Sequence, residues 1–246
     1  MKRVLLAMML AASPLQADEN EWRPPFITTP PEVVERMLAM AGTRPDDLVV
    51  DLGSGDGRIV IAAAQKFGAR GIGIELDEAL VEKSRHNARV AGVGEKVAFV
   101  QGDVLVTDIS RATVVTVYLL PALMAKLQSR FVDELAPGTR IVSHAFAMAG
   151  WAPDRIETVR LTQRHRGQGD ESRLHLWVVP ADVRGVWRAP GVAFRIEQSY
   201  QSIEVEGVRG ARISGRDIAW DGFKGRVEGN RIVGELAGRP VEFIRN

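Results

Sequence analysis

The chain has 246 residues, a formal net charge of +1 and no cysteine. Its length suits one large domain, or one domain with a small appendage. The absence of cysteine excludes disulfides, thiolate catalysis and cysteine-based zinc sites. Because the charges nearly balance, no bulk field points to nucleic acid, and we infer no nucleic-acid partner.

The first residues have the layout of a secretory signal peptide. Lys2 and Arg3 form a short basic region, and residues 4–12 form an apolar stretch that is too short to span a bilayer. Ala17 then precedes an acidic start, as at a cleavage site. We expect residues 1–17 to be a signal peptide, a periplasmic or secreted mature protein and no transmembrane span. The alternative is a cytoplasmic protein whose N-terminal helix caps the fold.

The middle of the chain alternates between short apolar runs and helical segments. Residues 18–46 are predicted to form an N-terminal cap segment that ends in a helix, because apolar residues recur there at helical spacing. The strands predicted after it are 48–52, 71–74, 97–100, 113–119 and 140–143, and the helices between them are 59–67, 78–90 and 121–135. Two later strands, 156–161 and 174–179, have no helix between them.

This alternation is typical of a parallel sheet that helices cover on both faces. Residues 47–180 are therefore predicted to form an α/β, Rossmann-like, doubly wound seven-stranded sheet with an antiparallel closing hairpin. Residues 181–246 contain short alternating segments and turn pairs such as Asp221-Gly222. They predict a small C-terminal antiparallel β-meander module, either open or closed into a partial barrel.

The glycine-rich turn after the first strand carries the main chemical signal. Residues 51–57 read DLGSGDG, between a strand and a helix, which is the geometry of a nucleotide site. Asp51 and Asp56 would repel the pyrophosphate of a dinucleotide, whereas S-adenosylmethionine (SAM) offers a cationic sulfonium and an amino group. The third glycine also comes one residue early for the dinucleotide pattern. The turn therefore favours SAM over NAD.

Two further acids follow the next two strands. Glu75 ends the second strand about 20 residues after the turn, where a carboxylate can accept hydrogen bonds from ribose hydroxyls. Asp103 follows the third strand, where it could accept from an adenine amino group or cap a helix. We predict cofactor contacts for a set that also includes Thr29, for the reason given below. The set is Thr29, Asp51, Gly53, Ser54, Gly55, Gly57, Glu75 and Asp103.

In order and spacing, these motifs resemble the seven-strand class I SAM-dependent methyltransferases over about residues 25–180. Residues 25–30, 114–121 and 137–144 are similar to the small protein-lysine methyltransferases related to the ATP synthase c-subunit lysine methyltransferase. The resemblance implies SAM as cofactor, a protein lysine as methyl acceptor, and a segment around Phe26 and Thr29 that folds over the cofactor. The resemblance includes neither the N-terminal signal nor the C-terminal module. A small-molecule methyltransferase and an exported, non-catalytic binding protein on the same fold therefore remain alternatives.

Two residues are candidates for catalysis. The resemblance places the end of the fourth strand beside the transferred methyl group, and Tyr118 occupies that position, either as an active-site wall or as a core tyrosine. His144 ends the fifth strand and could act as a base, since histidine titrates near neutral pH, or it could be structural. His86, His165 and His175 lack the spacing of metal ligands, so no metal site is predicted. The sequence does not predict an oligomeric state.

Overall fold

The computed structural model describes residues 27–165 and 169–245. The predicted signal peptide and Phe26 lie outside these residues, so the expected localisation stays a prediction. Within the described residues, no helix is both long and apolar enough to cross a membrane.

The first part of the chain forms helices and strands in alternation. They are α1 (Pro31–Met40), β1 (Leu48–Leu52), α2 (Arg58–Phe67), β2 (Arg70–Glu75), α3 (Glu78–Val90), β3 (Val97–Gln101), β4 (Val114–Val117), α4 (Pro121–Glu134), β5 (Arg140–His144), β6 (Arg155–His165) and β7 (Gly169–Val178). The strands make one seven-stranded sheet in the order β3-β2-β1-β4-β5-β7-β6. Strands β1 to β5 are parallel, and β7 and β6 close the sheet as an antiparallel hairpin. The predicted fold class is confirmed.

The sheet is covered by apolar side chains on both faces. Met37 of α1, Val60 of α2 and Val81 of α3 belong to one buried cluster, whereas Leu127 and Phe131 of α4 belong to the other. The strand order reverses between β1 and β4, which opens a crevice at their carboxyl ends. The predicted cofactor turn follows β1, so the fold places it at this crevice.

The largest differences from the predicted bounds are in β4 and in the closing hairpin, each for a physical reason. Strand β4 ends at Val117 because Tyr118 and the two leucines after it leave the sheet and line a cavity. The hairpin β6–β7 is longer than predicted on both strands. The far end of the hairpin carries mostly polar side chains and is held by backbone pairing at the sheet edge. Because it contains no apolar run, the sequence pattern does not predict it.

The second part of the chain forms a separate antiparallel sheet. Its strands are β8 (Gly185–Ala189), β9 (Val192–Ser199), β10 (Ser202–Val205), β11 (Arg212–Ser214), β12 (Asp217–Trp220), β13 (Phe223–Glu228), β14 (Arg231–Leu236) and β15 (Arg239–Arg245), in the order β10-β9-β8-β15-β14-β13-β12-β11. Strands β10 and β11 are consecutive in the chain but lie at opposite ends of the sheet. Only residues 206–211 join them, and both contribute to a single buried cluster. The predicted antiparallel module is confirmed, and its sheet curls around one core.

An aromatic cluster fills the curled sheet. The ring of Phe243 lies 5.0 Å from that of Phe194 and 5.5 Å from that of Phe223, both edge-on, and Trp220 stacks on Phe223 at 4.0 Å. Edge-on and offset arrangements of this kind are the favoured geometries for aromatic pairs. In so small a sheet, these rings supply much of the buried apolar surface.

We expect Phe243→Ala to lower the free energy of unfolding by about 3–5 kcal/mol, since it removes a buried ring and leaves a cavity. The matched control is Ile244→Ala, because Ile244 is the next residue and is 45% exposed. It should cost less than about 1 kcal/mol. Guanidinium denaturation of both variants measures the difference, and equal losses would contradict the assignment of a core to this sheet.

Candidate active site

The turn after β1 folds back onto the end of β2. The backbone N–H groups of Gly53 and Ser54 donate to the Ile74 carbonyl at 2.9 and 3.0 Å. The N–H of Gly55 donates to the Glu75 carboxylate at 2.9 Å. These three bonds hold the turn in one shape, and its backbone faces the crevice.

A cavity of about 740 Å³ lies at the carboxyl ends of strands β1 to β5, within the size range of small-molecule sites. Among the predicted site residues, those that line it are Thr29, Asp51, Gly53, Ser54, Gly55, Glu75, Asp103 and Tyr118. Gly57 and His144 do not line it. Gly57 instead begins α2 with φ 80°, and a Cβ there would lie 2.6 Å from the ring of Phe99. Its role is thus to let the helix start close to β3.

The charged side chains that line the cavity are mostly acidic. Among the described residues they are the carboxylates of Asp51, Asp56, Glu75, Asp77 and Asp103 and the guanidinium of Arg58. Arg58 is paired with Asp56, so the remaining carboxylates give the cavity a negative potential. Such a potential attracts cationic groups and repels phosphates.

Asp51 is the deepest of these acids. Its side chain is buried and accepts a hydrogen bond from the Thr116 hydroxyl at 2.7 Å. Burial raises the pKa of Asp51 to about 7, and the nearby carboxylates of Glu75 and Asp56 act in the same direction. A cation placed beside Asp51 would favour the ionised form. The carboxyl group is therefore suited to hold a positively charged ligand.

Glu75 is held by three backbone donors. One carboxylate oxygen accepts from the N–H groups of Leu76 and Asp77 at 2.9 and 3.0 Å, and the other accepts from Gly55. A carboxylate offers about four acceptor positions, so capacity remains for a ligand. The predicted ribose contact of Glu75 fits this geometry and stays a prediction.

Asp103 lies at the far side of the cavity, after β3. One oxygen accepts from the N–H of Leu105 at 2.8 Å, as in a capping turn. The residue also lines the cavity. No helix begins here among the described residues, so Asp103 closes a turn and does not cap a helix. The contact with the adenine ring stays a prediction.

Arg58 is a site residue to which the sequence analysis gave no role. Its guanidinium binds both carboxylate oxygens of Asp56, at 2.8 and 2.6 Å, and donates to the Thr29 carbonyl at 2.9 Å. Burial alone would raise the pKa of Asp56, but the guanidinium holds it below its ordinary value. Arg58 thus ties the segment before α1 to the glycine turn. The only signal in the sequence is an arginine two residues after the acid of the turn.

Tyr118 and His144 lie together, but only Tyr118 lines the cavity. Their ring centroids are 4.2 Å apart. His144 is fully buried, with Nδ1 3.2 Å from the Thr29 hydroxyl and Nε2 3.0 Å from the Ser172 hydroxyl. The structure therefore does not bring the predicted base to the cavity surface. It places the imidazole behind Tyr118, where it supports the ring.

The end of the cavity at β4 and β5 is apolar and aromatic. Leu119, Leu120, Leu123 and Phe146 line it beside Tyr118, and the rings of Tyr118 and Phe146 are nearly parallel at 6.2 Å. The sequence analysis found Tyr118 alone. The other side chains follow strands or begin α4, where apolar residues also serve packing and carry no separate signal.

Comparison with known proteins identifies the family. Residues 51–155 match the model of the ANTKMT methyltransferase domain. The chain is 41% identical over 133 residues to a protein-lysine N-methyltransferase of Saccharolobus islandicus, covering 54% of this chain and 83% of that protein. The chain belongs to the ANTKMT methyltransferase family. A Xenopus laevis lysine N-methyltransferase named for the ATP synthase c-subunit is 35% identical over 153 residues, covering 62% of this chain and 67% of that protein.

A solved structure supports the cofactor of this family member. An RNA methyltransferase from Salinibacter ruber, in complex with S-adenosyl-L-homocysteine, is 49% identical with a TM-score of 0.58. The match covers 96% of that chain but 64% of this one, so about a third of this chain has no counterpart there. The chain is a SAM-dependent methyltransferase, as predicted. The acidic cavity fits the cation of SAM. Asp51 would hold that cation, and Glu75 would hold the ribose hydroxyls.

We expect the affinity for SAM to fall as the pH is lowered through about 7, by up to about tenfold per pH unit, because Asp51 then becomes protonated. Asp51→Asn should bind SAM weakly and lose this part of the pH dependence. Titration calorimetry between about pH 6 and about pH 8.5 measures both. Equal slopes for the two proteins would contradict the role of Asp51.

The same substitution should act in the opposite direction on stability. Because the folded pKa of Asp51 is raised from 3.8 to about 7, the stabilisation from its protonation is complete below 3.8 and is lost as the pH rises through about 7. Asp51→Asn should therefore unfold at a higher temperature than the unmutated chain at about pH 8.5. A lower unfolding temperature would contradict the desolvated, like-charged environment.

We also expect Arg58→Lys to weaken SAM binding roughly tenfold, since an ammonium group cannot bind Asp56 through two nitrogens and also reach Thr29. Arg70→Lys is the matched control, because Arg70 is exposed at the start of β2. Calorimetry on both variants tests the prediction. An unchanged affinity in Arg58→Lys would show that SAM binding does not depend on this contact.

Proposed function

We propose that this chain transfers a methyl group from SAM to the side-chain amine of a lysine in a protein. The acidic cavity is the observation that carries the proposal. Among the described residues, five carboxylates and one guanidinium line it, and that guanidinium, of Arg58, is paired with Asp56. These acids lie at the ends of β1 to β3, in the half of the cavity that we assign to the cofactor. Their potential nevertheless extends over the crevice, where it draws a lysine ammonium toward the acceptor end and repels the phosphates of a nucleic acid.

The relatives support the same acceptor. The proteins of Saccharolobus islandicus and Xenopus laevis are both named as lysine N-methyltransferases. The name of the Salinibacter ruber structure gives RNA as a second candidate acceptor, at a higher identity of 49%. The nearly balanced charge of the chain and the acidic cavity favour lysine between the two.

Different residues of the cavity bind the cofactor and the acceptor. When bound, SAM supplies an electrophilic methyl group. Asp51 would hold the cation, and Glu75 would hold the ribose and the glycine turn, at one end of the cavity. Tyr118 and Phe146 form an aromatic wall at the other end. An amine that enters this apolar end loses water, which lowers its pKa and favours the neutral, nucleophilic form. The enclosed geometry aligns the amine and excludes competing water.

The test is methylation of defined acceptor classes by the full chain. Protein extract from the native organism, the same extract with its lysines acetylated, and total RNA are each incubated with the chain and with SAM carrying a labelled methyl group. We expect label in the untreated protein alone, on lysine residues by mass spectrometry. Asp51→Asn serves as the control without cofactor.

Other outcomes lead to different acceptors. Label in RNA would replace the lysine proposal with the second candidate. Label that persists after acetylation would indicate another side chain. Label in none of the three classes would favour a small-molecule acceptor.

A further inference from the structure

The second sheet touches the segment that forms one wall of the active site. The turn between β9 and β10 carries Tyr200, whose ring stacks on Trp151 with centroids 4.8 Å apart and an interplanar angle of 8°. Trp151 is 1% exposed and belongs to residues 145–154, which connect β5 to β6. The contact therefore joins the module to the seven-stranded sheet through a ring stack.

Hydrogen bonds hold the same turn in place. The Gln128 side-chain amide on α4 donates to the Tyr200 hydroxyl at 2.7 Å and to the Ala149 carbonyl at 2.9 Å. The Gln201 side-chain amide donates to the Ala152 carbonyl. Two residues of the turn thus hold the 145–154 segment, and α4 completes the contact.

The backbone conformation of Tyr200 is unusual for a tyrosine, which indicates that side-chain contacts hold it. Its φ is 55°, in the left-handed region that glycine or asparagine adopts more easily than a bulky aromatic residue. The Gln198 side chain donates to its carbonyl at 2.7 Å and holds this conformation. Strain of this kind persists where the surrounding contacts over-determine it. The stack on Trp151 and the bond from Gln128 are such contacts.

The other end of the braced segment lies in the active site. Ala145 and Phe146 line the cavity, and Ala145 also has a positive φ, of 68°. The Ser143 hydroxyl donates to the Phe146 carbonyl at 2.5 Å, and the Phe146 ring lies nearly parallel to Tyr118. A displacement of the segment at Trp151 would therefore move the wall around Tyr118.

The brace acts on only one half of the cavity. The predicted cofactor contacts Asp51 and Glu75 lie at the carboxyl ends of β1 and β2, and Asp103 follows β3. Tyr118 and Phe146 follow β4 and β5, on the other side of the point where the strand order reverses. The half that the module touches is thus the half left for the methyl acceptor.

We infer that the Tyr200 turn is a positioning element, through which the second sheet holds residues 145–152 in the shape that receives the acceptor. This inference rests on the proposed function for the nature of the acceptor. Its physical part, that the module orders the 145–152 segment, does not. Tyr200 acts through Trp151 and does not itself line the cavity.

Two variants separate the contributions of the turn. Tyr200→Asn removes the ring and hydroxyl, and asparagine tolerates a positive φ, so it adds no backbone strain. Tyr200→Phe keeps the stack and removes the hydroxyl bond to Gln128. Leu236→Ala is the control, since Leu236 is 39% exposed on β14 of the same sheet. Each full-length protein is tested for SAM affinity, for kcat and KM on a lysine acceptor, and for amide hydrogen exchange of residues 145–152.

We expect Tyr200→Asn to lower kcat/KM for the acceptor roughly 10- to 100-fold, because the wall is misplaced. Its Kd for SAM should stay within about twofold, and exchange at residues 145–152 should be faster. Tyr200→Phe should show a smaller change of the same kind. Leu236→Ala should match the unmutated chain in all three measurements.

Unchanged exchange at residues 145–152 in Tyr200→Asn would overturn the brace. Faster exchange with unchanged kcat/KM would overturn its role in acceptor positioning. A loss of SAM affinity as large as the loss of kcat/KM would also overturn it, since the effect would then be general. If the unmutated chain methylates no lysine, the proposed function fails, and hydrogen exchange still tests the brace independently.

Discussion

The reversal of the chain at residues 53–57 is the constraint on which the site depends. Three glycines with positive φ let β1 pass into α2 within a few residues, and the neighbouring strands leave space for it. A Cβ on Gly73 of β2 would lie 2.6 Å from the Ser54 hydroxyl. The small residue in the second strand is therefore matched to the turn after the first. This match places the backbone donors and Asp51 at the crevice together.

The same arrangement concentrates negative charge. Asp51 is buried beside two other carboxylates, and burial raises its pKa to about 7. A fold selected for stability alone would not gather these acids, since each disfavours the ionisation of the others. Local rules of stability are commonly broken at functional sites. Here the clustered carboxylates lie where a cationic ligand would bind, and that cation would favour their ionised forms.

The sequence contained most of the fold and about half of the site. Strand β1 and helix α3 have the predicted bounds. The apolar run of β1 ends at Gly53, and α3 begins after Asp77 and is closed by Gly92. Asp51 and Glu75 were found since their spacing from the glycine turn is a signal in itself. The sequence does not predict three features: the bond from Arg58 to Thr29, the burial of His144 against Thr29 and Ser172, and the stack of Tyr200 on Trp151. Each joins residues that are far apart in the chain, and no local pattern encodes such a contact.

The pairing of β8 with β15 has a consequence for how the chain is organised. It brings the first and last strands of the second sheet side by side, and the Arg245 guanidinium donates to the carbonyls of Asp182 and Arg184 at 3.0 and 3.1 Å. A unit whose entry and exit meet can be joined to another protein through one short junction. The second sheet is therefore a unit that can be joined to other proteins at one place. In this chain, the stack of Tyr200 on Trp151 is a contact that attaches it to the seven-stranded part.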